Sequence, residues 1–142
     1  MALTFKLYTD SALTTELTGN LIASQNADSS TPPIEFQLFI GSVTGTPSKL
    51  EADSDPGVDQ ITVSVVDANI GAGHEAPEVK LATTQGGLAA ATGGASLDLG
   101  VIVNSGSGNG AEFWVQVDDV TGVLGTSTEL SVDTNAVRET VI

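Results

Sequence analysis

The amino-acid sequence predicts an all-β domain, a β-sandwich of roughly eight or nine short, mostly antiparallel strands. Short runs in which apolar and polar residues alternate recur along the chain, as expected where one face of a strand is buried. Gly, Pro, Asn and Asp interrupt these runs roughly every 8–12 residues, a spacing typical of β-sandwiches. Charged residues make up only 15% of the chain, so Thr and Ser, which suit strands and turns, cover much of the surface.

Alternation predicts the strands of the first half of the chain. The clearest strand places Phe36, Leu38 and Ile40 on one face. Pro32 and Pro33 close the loop before it, because proline does not fit inside a central strand. A short strand after the turn at 44–47 is expected to return along it. The predicted strands of this half span residues 3–7, 15–22, 34–42, 49–52 and 60–66.

The second half repeats the pattern. The strongest strand here directs Phe113, Val115 and Val117 to one face and Trp114 to the other. Gly100 interrupts another run of alternation and predicts a β-bulge. The predicted strands of this half span residues 79–81, 97–103, 111–118 and 126–133.

Small and polar residues predict the connections between these strands. Residues 67–77 form a loop, residues 105–110 (SGSGNG) a hairpin loop and residues 119–125 a turn. Residues 88–91 fit one helical turn or a strand, and residues 136–142 are taken as a tail with no assigned strand. No segment keeps a helical period over about 11 residues.

Length and composition predict one domain over residues 1–142. Hydrophobic residues make up 40% of the 142 residues, enough for a core of its own. The sequence has no internal repeat and no composition shift that would mark a linker. Whether a short arm extends from the N or the C terminus of this domain is left open.

Charge excludes several classes of partner. Four Lys and Arg stand against 18 Asp and Glu, a formal net charge of −14. Such a chain repels the phosphates of nucleic acids and of anionic membranes, and it favours a partner with basic patches. Cysteine is absent, which excludes disulfides and thiolate metal sites. The first residues do not fit a secretion signal, so a soluble protein made in the host cytoplasm is expected.

The sequence predicts no enzyme and no cofactor. Nucleophilic catalysis needs a base within reach of the nucleophile, and His74 is the only histidine. It is interpreted as a solvated histidine of the 67–77 loop. Paired histidine ligands with zinc-site spacing are absent, so a zinc site is not expected.

Calcium is the metal that the acidic turns suggest, since it prefers hard oxygen ligands. Asp53, Asp55 and Asp59 fall in one turn, and the pair Asp118 and Asp119 ends a predicted strand. The spacing of the first three partly matches the start of an EF-hand loop, but Pro56-Gly57 displaces the third ligand and no Glu occupies the twelfth position. Ordinary Asp-rich turns are the favoured interpretation.

Two aromatic side chains are predicted on the faces of strands opposite the core. Trp114 lies opposite Phe113 and Val115, and Phe39 lies opposite Leu38. A half-exposed tryptophan often anchors an interface, so Trp114 and Phe39 are candidate interface residues. Local packing under a loop or terminal arm is the alternative, and it is favoured.

Four segments resemble small structural proteins of tailed-bacteriophage virions. They are LTFKLYTD at residues 3–10, IEFQLFIG at 34–41, GVDQITVSV at 57–65 and FWVQVDD at 113–119. Among these the chain is most similar to capsid decoration (cement) proteins with an immunoglobulin-like β-sandwich. The resemblance implies binding to the major capsid protein on the outer surface of the head, and stabilisation of the shell. It implies no individual functional residue.

Other functions stay open beside the decoration protein. The same fold suits a tail or head-fibre component of the virion, and it suits an adhesion or carbohydrate-binding module. Few aromatic residues argue against the carbohydrate-binding module, and the lack of an export signal argues against an adhesin. The number of copies of this chain in a homo-oligomer is left open. Strand edges tend to pair with other chains, so a sheet edge or a terminal arm is expected to take part in docking.

Overall fold

A computed structural model describes residues 3–26, 28, 30–119 and 125–142 of the chain. These residues form ten strands and two short 3₁₀ turns, at Ala76–Glu78 and Gly86–Ala90. The prediction of an all-β, antiparallel protein is confirmed. The strands are β1 Lys6–Tyr8, β2 Ile34–Gly41, β3 Ser48–Ala52, β4 Thr62–Asp67, β5 Val79–Ala82, β6 Leu97–Asp98, β7 Ile102–Asn104, β8 Ala111–Val117, β9 Leu130–Thr134 and β10 Val137–Val141.

Three antiparallel sheets contain all ten described strands. The main sheet has the order β1-β2-β8-β5, the second sheet β10-β3-β7 and the third sheet β6-β4-β9. The longest strands, β2 and β8, lie at the centre of the main sheet, where Leu38 pairs with Phe113 and Gln37 with Trp114. They are long because their alternation continues without a break over seven or eight residues.

One apolar core joins the three sheets. The main sheet contributes side chains such as Leu38 and Phe113, the second sheet Leu50 and Val103, and the third sheet Val63. Phe113 retains only 1% of its accessible surface. Side chains from all three sheets therefore pack together in one core.

Gly100 separates two strands of different sheets. Residues 97–103 were expected to form one strand with a bulge, but β6 belongs to the third sheet and β7 to the second. Gly100 has φ +106°, a left-handed conformation that favours glycine. The carbonyl of Gly100 still accepts a bond from the amide of Ile61, at 2.8 Å. The chain thus changes sheets at this glycine.

Two predicted neighbours in the sheets are wrong. Residues 49–52 do not return along residues 34–42, because β1 and β8 already occupy both edges of β2. They lie instead in β3, between β10 and β7. Residues 105–110 are not a hairpin loop, because they connect β7 of the second sheet to β8 of the main sheet.

Both chain ends also differ from the prediction. Residues 136–142 contain β10, whose residues Val137, Glu139 and Val141 alternate and pair with β3. Residues 15–22 form no strand. The bridge between Tyr8 and Glu16 and the ion pair of Lys6 with Glu16, at 3.3 Å, link them to β1. Of the two alternatives for residues 88–91, the helical turn is the better description, because residues 88–90 belong to the 3₁₀ turn Gly86–Ala90. The predicted turn at 119–125 falls mostly outside the described residues.

A polar cluster connects the N-terminal segment to β10. The Glu139 carboxylate accepts bonds from the Thr4 amide at 2.7 Å, the Thr4 hydroxyl at 2.6 Å and the Ser48 hydroxyl at 2.6 Å. Ser42 and Ser48 are buried. Burial opposes ionisation of Glu139, but these hydrogen bonds outweigh it and lower the pKa of its carboxyl group.

This cluster is expected to make the stability of the fold depend on pH in the acidic range. The ordinary pKa of 4.5 applies in the unfolded chain, and the folded pKa is lower. The unfolded chain therefore binds more protons between the two values, so the stabilisation is present above the unfolded pKa and is lost as pH falls through the folded one. The melting temperature of Glu139→Gln should fall less steeply below about pH 5 than that of wild type. Identical slopes for Glu139→Gln and wild type would contradict the prediction.

Candidate docking surface and histidine cluster

The outer face of the main sheet is the side opposite the core. Alternation along β2 and β8 directs Gln37, Glu112 and Trp114 to this side, while Phe113 and Val115 are buried in the core. Gln37 lies directly opposite Trp114 across the two central strands. The sequence therefore placed Trp114 on the correct face.

One part of this outer face is covered by the chain itself. Leu13 packs with Tyr8 and Phe39 into a second buried cluster. It sits where Gly41 and Gly110 carry no side chain, because a Cβ on Gly41 would lie 2.5 Å from Leu13 Cδ1. Leu13 has φ +57°, an uncommon value for a residue other than glycine.

Phe39 is therefore not an exposed interface residue. Only 6% of its surface is accessible, and the segment that carries Leu13 lies over it. The sequence places Phe39 on the outer face, but no local pattern shows that a loop folds back to cover it. Phe39 thus fits the favoured alternative, in which the side chain packs locally under another segment of the chain.

The remaining part of the outer face surrounds Trp114. The indole Nε1 donates a hydrogen bond to Glu112 Oε1 at 2.8 Å, and Gln37 Nε2 donates to the same oxygen at 3.0 Å. Glu35 accepts bonds from Gln116 at 3.3 Å and from Gln85 at 3.0 Å. We call the residues Glu35, Gln37, Glu112, Trp114 and Gln116 the Trp114 surface.

The Trp114 surface combines one aromatic side chain with four polar ones. Trp114 is half-buried, while Glu35, Gln37 and Glu112 are exposed. Hydrogen bonds hold the ring and the amide side chains in fixed positions, which lowers the entropy lost when a partner binds. The 3₁₀ turn Gly86–Ala90 borders the Trp114 surface. A Cβ on Gly87, in this turn, would be 3.3 Å from Cβ of Ala82, which pairs with Trp114.

A second arrangement gathers around His74. Its Nδ1 lies 3.2 Å from Glu78 Oε1 and 3.5 Å from Asp119 Oδ1. Glu129 accepts a hydrogen bond from the backbone amide of His74. We call His74, Glu78, Asp119 and Glu129 the His74 cluster.

His74 is not the solvated loop histidine expected from the sequence. Its side chain is largely buried. Partial burial disfavours the charged imidazolium, but the hydrogen bond and charge of Glu78, with the charges of Asp119 and Glu129, outweigh it and raise the pKa of His74. His74 and Glu78 are four residues apart, which is the one local relation in the cluster, but His74 lies outside the 3₁₀ turn Ala76–Glu78. Asp119 is too distant in sequence to be included by a local relation.

The acidic turn considered for calcium is solvent-exposed. Asp53, Asp55 and Asp59 lie in the connection between β3 and β4, where Asp59 accepts a hydrogen bond from the Ser54 hydroxyl at 2.6 Å. Within the described part of the chain, the His74 cluster is the only place where three or more potential ligand groups lie within 4.8 Å of one another. Asp119, of the second acidic pair, belongs to that cluster.

Comparison with known proteins identifies no relative: no family model, no curated protein and no solved structure matches this chain. Among the described residues, none of the helical segments has the length and apolar character needed to cross a membrane.

Proposed function

We propose that this protein is a structural component of a tailed-phage virion that binds the outer surface of the capsid and stabilises the shell. The Trp114 surface is the observation that carries the proposal. A tryptophan held by hydrogen bonds within a rim of Gln and Glu has the composition of an interface hot spot. The partner is the major capsid protein, and the complex lies on the exterior of the virion.

Charge supports the same assignment. The net charge is −14 and only four basic residues are present, so docking is favoured where the shell presents basic groups. Glu35 and Glu112 place two carboxylates on the Trp114 surface itself. Steering of this kind weakens as salt rises, since exposed charges are screened.

The fold is compatible with an immunoglobulin-like sandwich. Side chains from all three sheets share one core, and all named strand pairs are antiparallel. Sandwiches present broad sheet faces and free sheet edges, and β10 has such an edge because it is the outermost strand of the second sheet.

The test is co-sedimentation of the purified protein with expanded phage heads that lack it. Binding should saturate at a fixed number of copies per capsomer. Trp114→Ala should raise the Kd by about 30-fold or more, as for a hot spot worth about 2 kcal/mol. Ile102→Ala is the matched control, because Ile102 is 42% exposed on the outer face of the second sheet. Its Kd should stay within about twofold of wild type.

Two results would change this proposal in different ways. Binding to heads without saturation, or no binding, would reject the capsid role and direct the search to tails, fibres and glycans. Saturable binding with equal Kd values for Trp114→Ala and wild type would keep the capsid role and reject the Trp114 surface as its docking face. Circular dichroism of both variants checks that they fold.

A further inference from the structure

Strands β9 and β10 together form one long sheet edge. β9 is an outermost strand of the third sheet and β10 of the second, and only Asn135 and Ala136 separate them. The Asn135 amide donates to the Thr62 carbonyl at 3.0 Å, and the Ala136 carbonyl accepts a bond from the Asp53 amide at 2.9 Å. The chain therefore stays bonded to the same side of both sheets, and we call residues 130–141 the outer edge.

The phase of the hydrogen-bond ladders shows which backbone groups of the outer edge point away from the sheets. Along an antiparallel edge strand, residues that bond to the neighbouring strand alternate with residues whose amide and carbonyl point outward. In β9 the bonded residues include Asn135 and the preceding Glu129, whose carbonyl accepts from the Ala68 amide at 2.9 Å. In β10 they include Ala136 and Ile142.

Six residues of the outer edge therefore direct their backbone groups outward, namely Leu130, Val132, Thr134, Val137, Glu139 and Val141. Within the described residues, none of their amides or carbonyls takes part in a hydrogen bond outside the ladders. Such a row of free donors and acceptors is a template for one more strand.

A large cavity adjoins the outer edge. Its volume is about 1110 Å³, and its lining includes residues 130–134 of the outer edge, residues 19–25, and Phe36 and Leu38 of the main sheet. Protein interiors are normally close-packed, with few voids larger than a water molecule. Some of the apolar lining is incompletely covered, since Phe36 is only partly buried and Ile22 is 78% exposed. The cavity therefore has room for part of another molecule.

The free backbone groups and the apolar lining together favour a peptide as that molecule. A lipid or another apolar small molecule would fill the cavity but leave the amides and carbonyls of the outer edge without partners. An extended peptide satisfies both features, because it adds a strand through main-chain hydrogen bonds and places alternate side chains in pockets beside the sheet.

Charge favours a partner other than a second copy of this chain. The net charge is −14, so two copies repel each other, whereas a basic segment is attracted. Asp133 lies on the outer edge, lines the cavity and is exposed. A Lys or Arg side chain on the incoming strand would find a carboxylate there.

We propose that the outer edge and the adjoining cavity bind an extended segment of another protein, with apolar residues at alternate positions and Lys or Arg beside them. The bound segment becomes an additional strand next to β9 and β10. This inference does not rest on the proposed capsid docking, because the cavity and the Trp114 surface share no residue and the test needs no phage heads.

The test titrates the full chain with the capped synthetic peptide Lys-Val-Thr-Val-Thr-Val-Lys. Calorimetry should give one peptide per chain with a Kd below about 1 mM, and the Kd should rise with salt because exposed charges are screened. The same peptide with its central amides N-methylated, which cannot donate to the outer edge, should bind at least about tenfold more weakly. Replacing both lysines by glutamate should also weaken binding.

Amide hydrogen exchange shows where the peptide binds. Exchange of the outward amides of Val132, Thr134 and Val137 should slow by about tenfold or more in the complex, because they gain hydrogen-bond partners. The amides of Ser131 and Arg138 point toward the neighbouring strands and serve as controls within the same edge. Their exchange should change much less.

Thr134→Pro removes one outward amide from the outer edge. Thr134 is exposed, and proline is tolerated on an edge strand where the missing N–H faces away from the neighbouring strand. The Kd of the peptide should rise by about tenfold. Thr134→Ala is the matched control, because it keeps the amide, and its Kd should stay within about twofold of wild type.

Three results would overturn the proposal. The first is no binding of the peptide, and the second is an equal Kd for the N-methylated peptide, which would indicate a site for apolar ligands only. The third is a concentration-dependent dimer in which the same outward amides are protected, because a second copy would then occupy the outer edge.

Discussion

Replacing Gly93 by alanine is expected to destabilise the fold by about 3 kcal/mol or more. A Cβ on Gly93 would lie 2.0 Å from the carbonyl oxygen of Pro77. That atom belongs to the backbone and cannot rotate away, so the 3₁₀ turn Ala76–Glu78 or the segment around Gly93 has to move. The amide of Gly94 donates to the Val79 carbonyl at 2.8 Å, and the movement would strain this bond as well. Urea denaturation measures the loss.

Gly86→Ala is the matched control for this substitution. Gly86 has no atom within 4 Å of the position its Cβ would take, and its φ lies outside the left-handed region. The free energy of unfolding should change by no more than about 0.5 kcal/mol. An equal loss in both variants would mean that the close approach of Gly93 to Pro77 is not its cause.

Phe113→Ala is expected to have the largest effect of any core substitution in the main sheet. Phe113 is 1% exposed, lies at the centre of β8 and pairs with Leu38. Removing a buried phenylalanine ring typically costs about 3–5 kcal/mol, because apolar contacts are lost and a cavity remains. For a chain of this length, that corresponds to a melting temperature lower by about 10–17 °C.

Phe36→Ala provides the comparison within the same sheet. Phe36 packs against the core but is only partly buried, so its removal should lower the melting temperature by clearly less. If the two variants lost the same stability, the deeper burial of Phe113 would not set its contribution to the fold. Calorimetric scans of both variants at one protein concentration decide the question.

The Trp114 surface and the His74 cluster depend on the tertiary structure to different degrees. Trp114 could be assigned to the outer face from the sequence, because alternation with Phe113 and Val115 is a local property of one strand. Whether that face is open depends on which other segments fold over it. Leu13 covers Phe39 and leaves Trp114 half-exposed, and no pattern within either strand shows this.

The His74 cluster depends even more on contacts that a local sequence pattern does not show. Its members come from residues 74, 78, 119 and 129, on both sides of the described strands β5 to β8. Only His74 and Glu78 are close to each other in sequence. The contact with Asp119 requires the end of β8 to lie beside the loop after β4, which is decided by the packing of the third sheet against the main sheet.

By itself the sequence determined the all-β class, the buried faces of the longest strands and the acidic character of the surface. These follow from the period of two along each strand and from composition, which are properties of the chain alone. The tertiary structure alone decided the partners of β3 and β10, the change of sheet at Gly100, the covering of Phe39 and the assembly of the His74 cluster. Each of these depends on contacts between segments distant in sequence, and any one strand has several possible neighbours that satisfy its own alternation equally well.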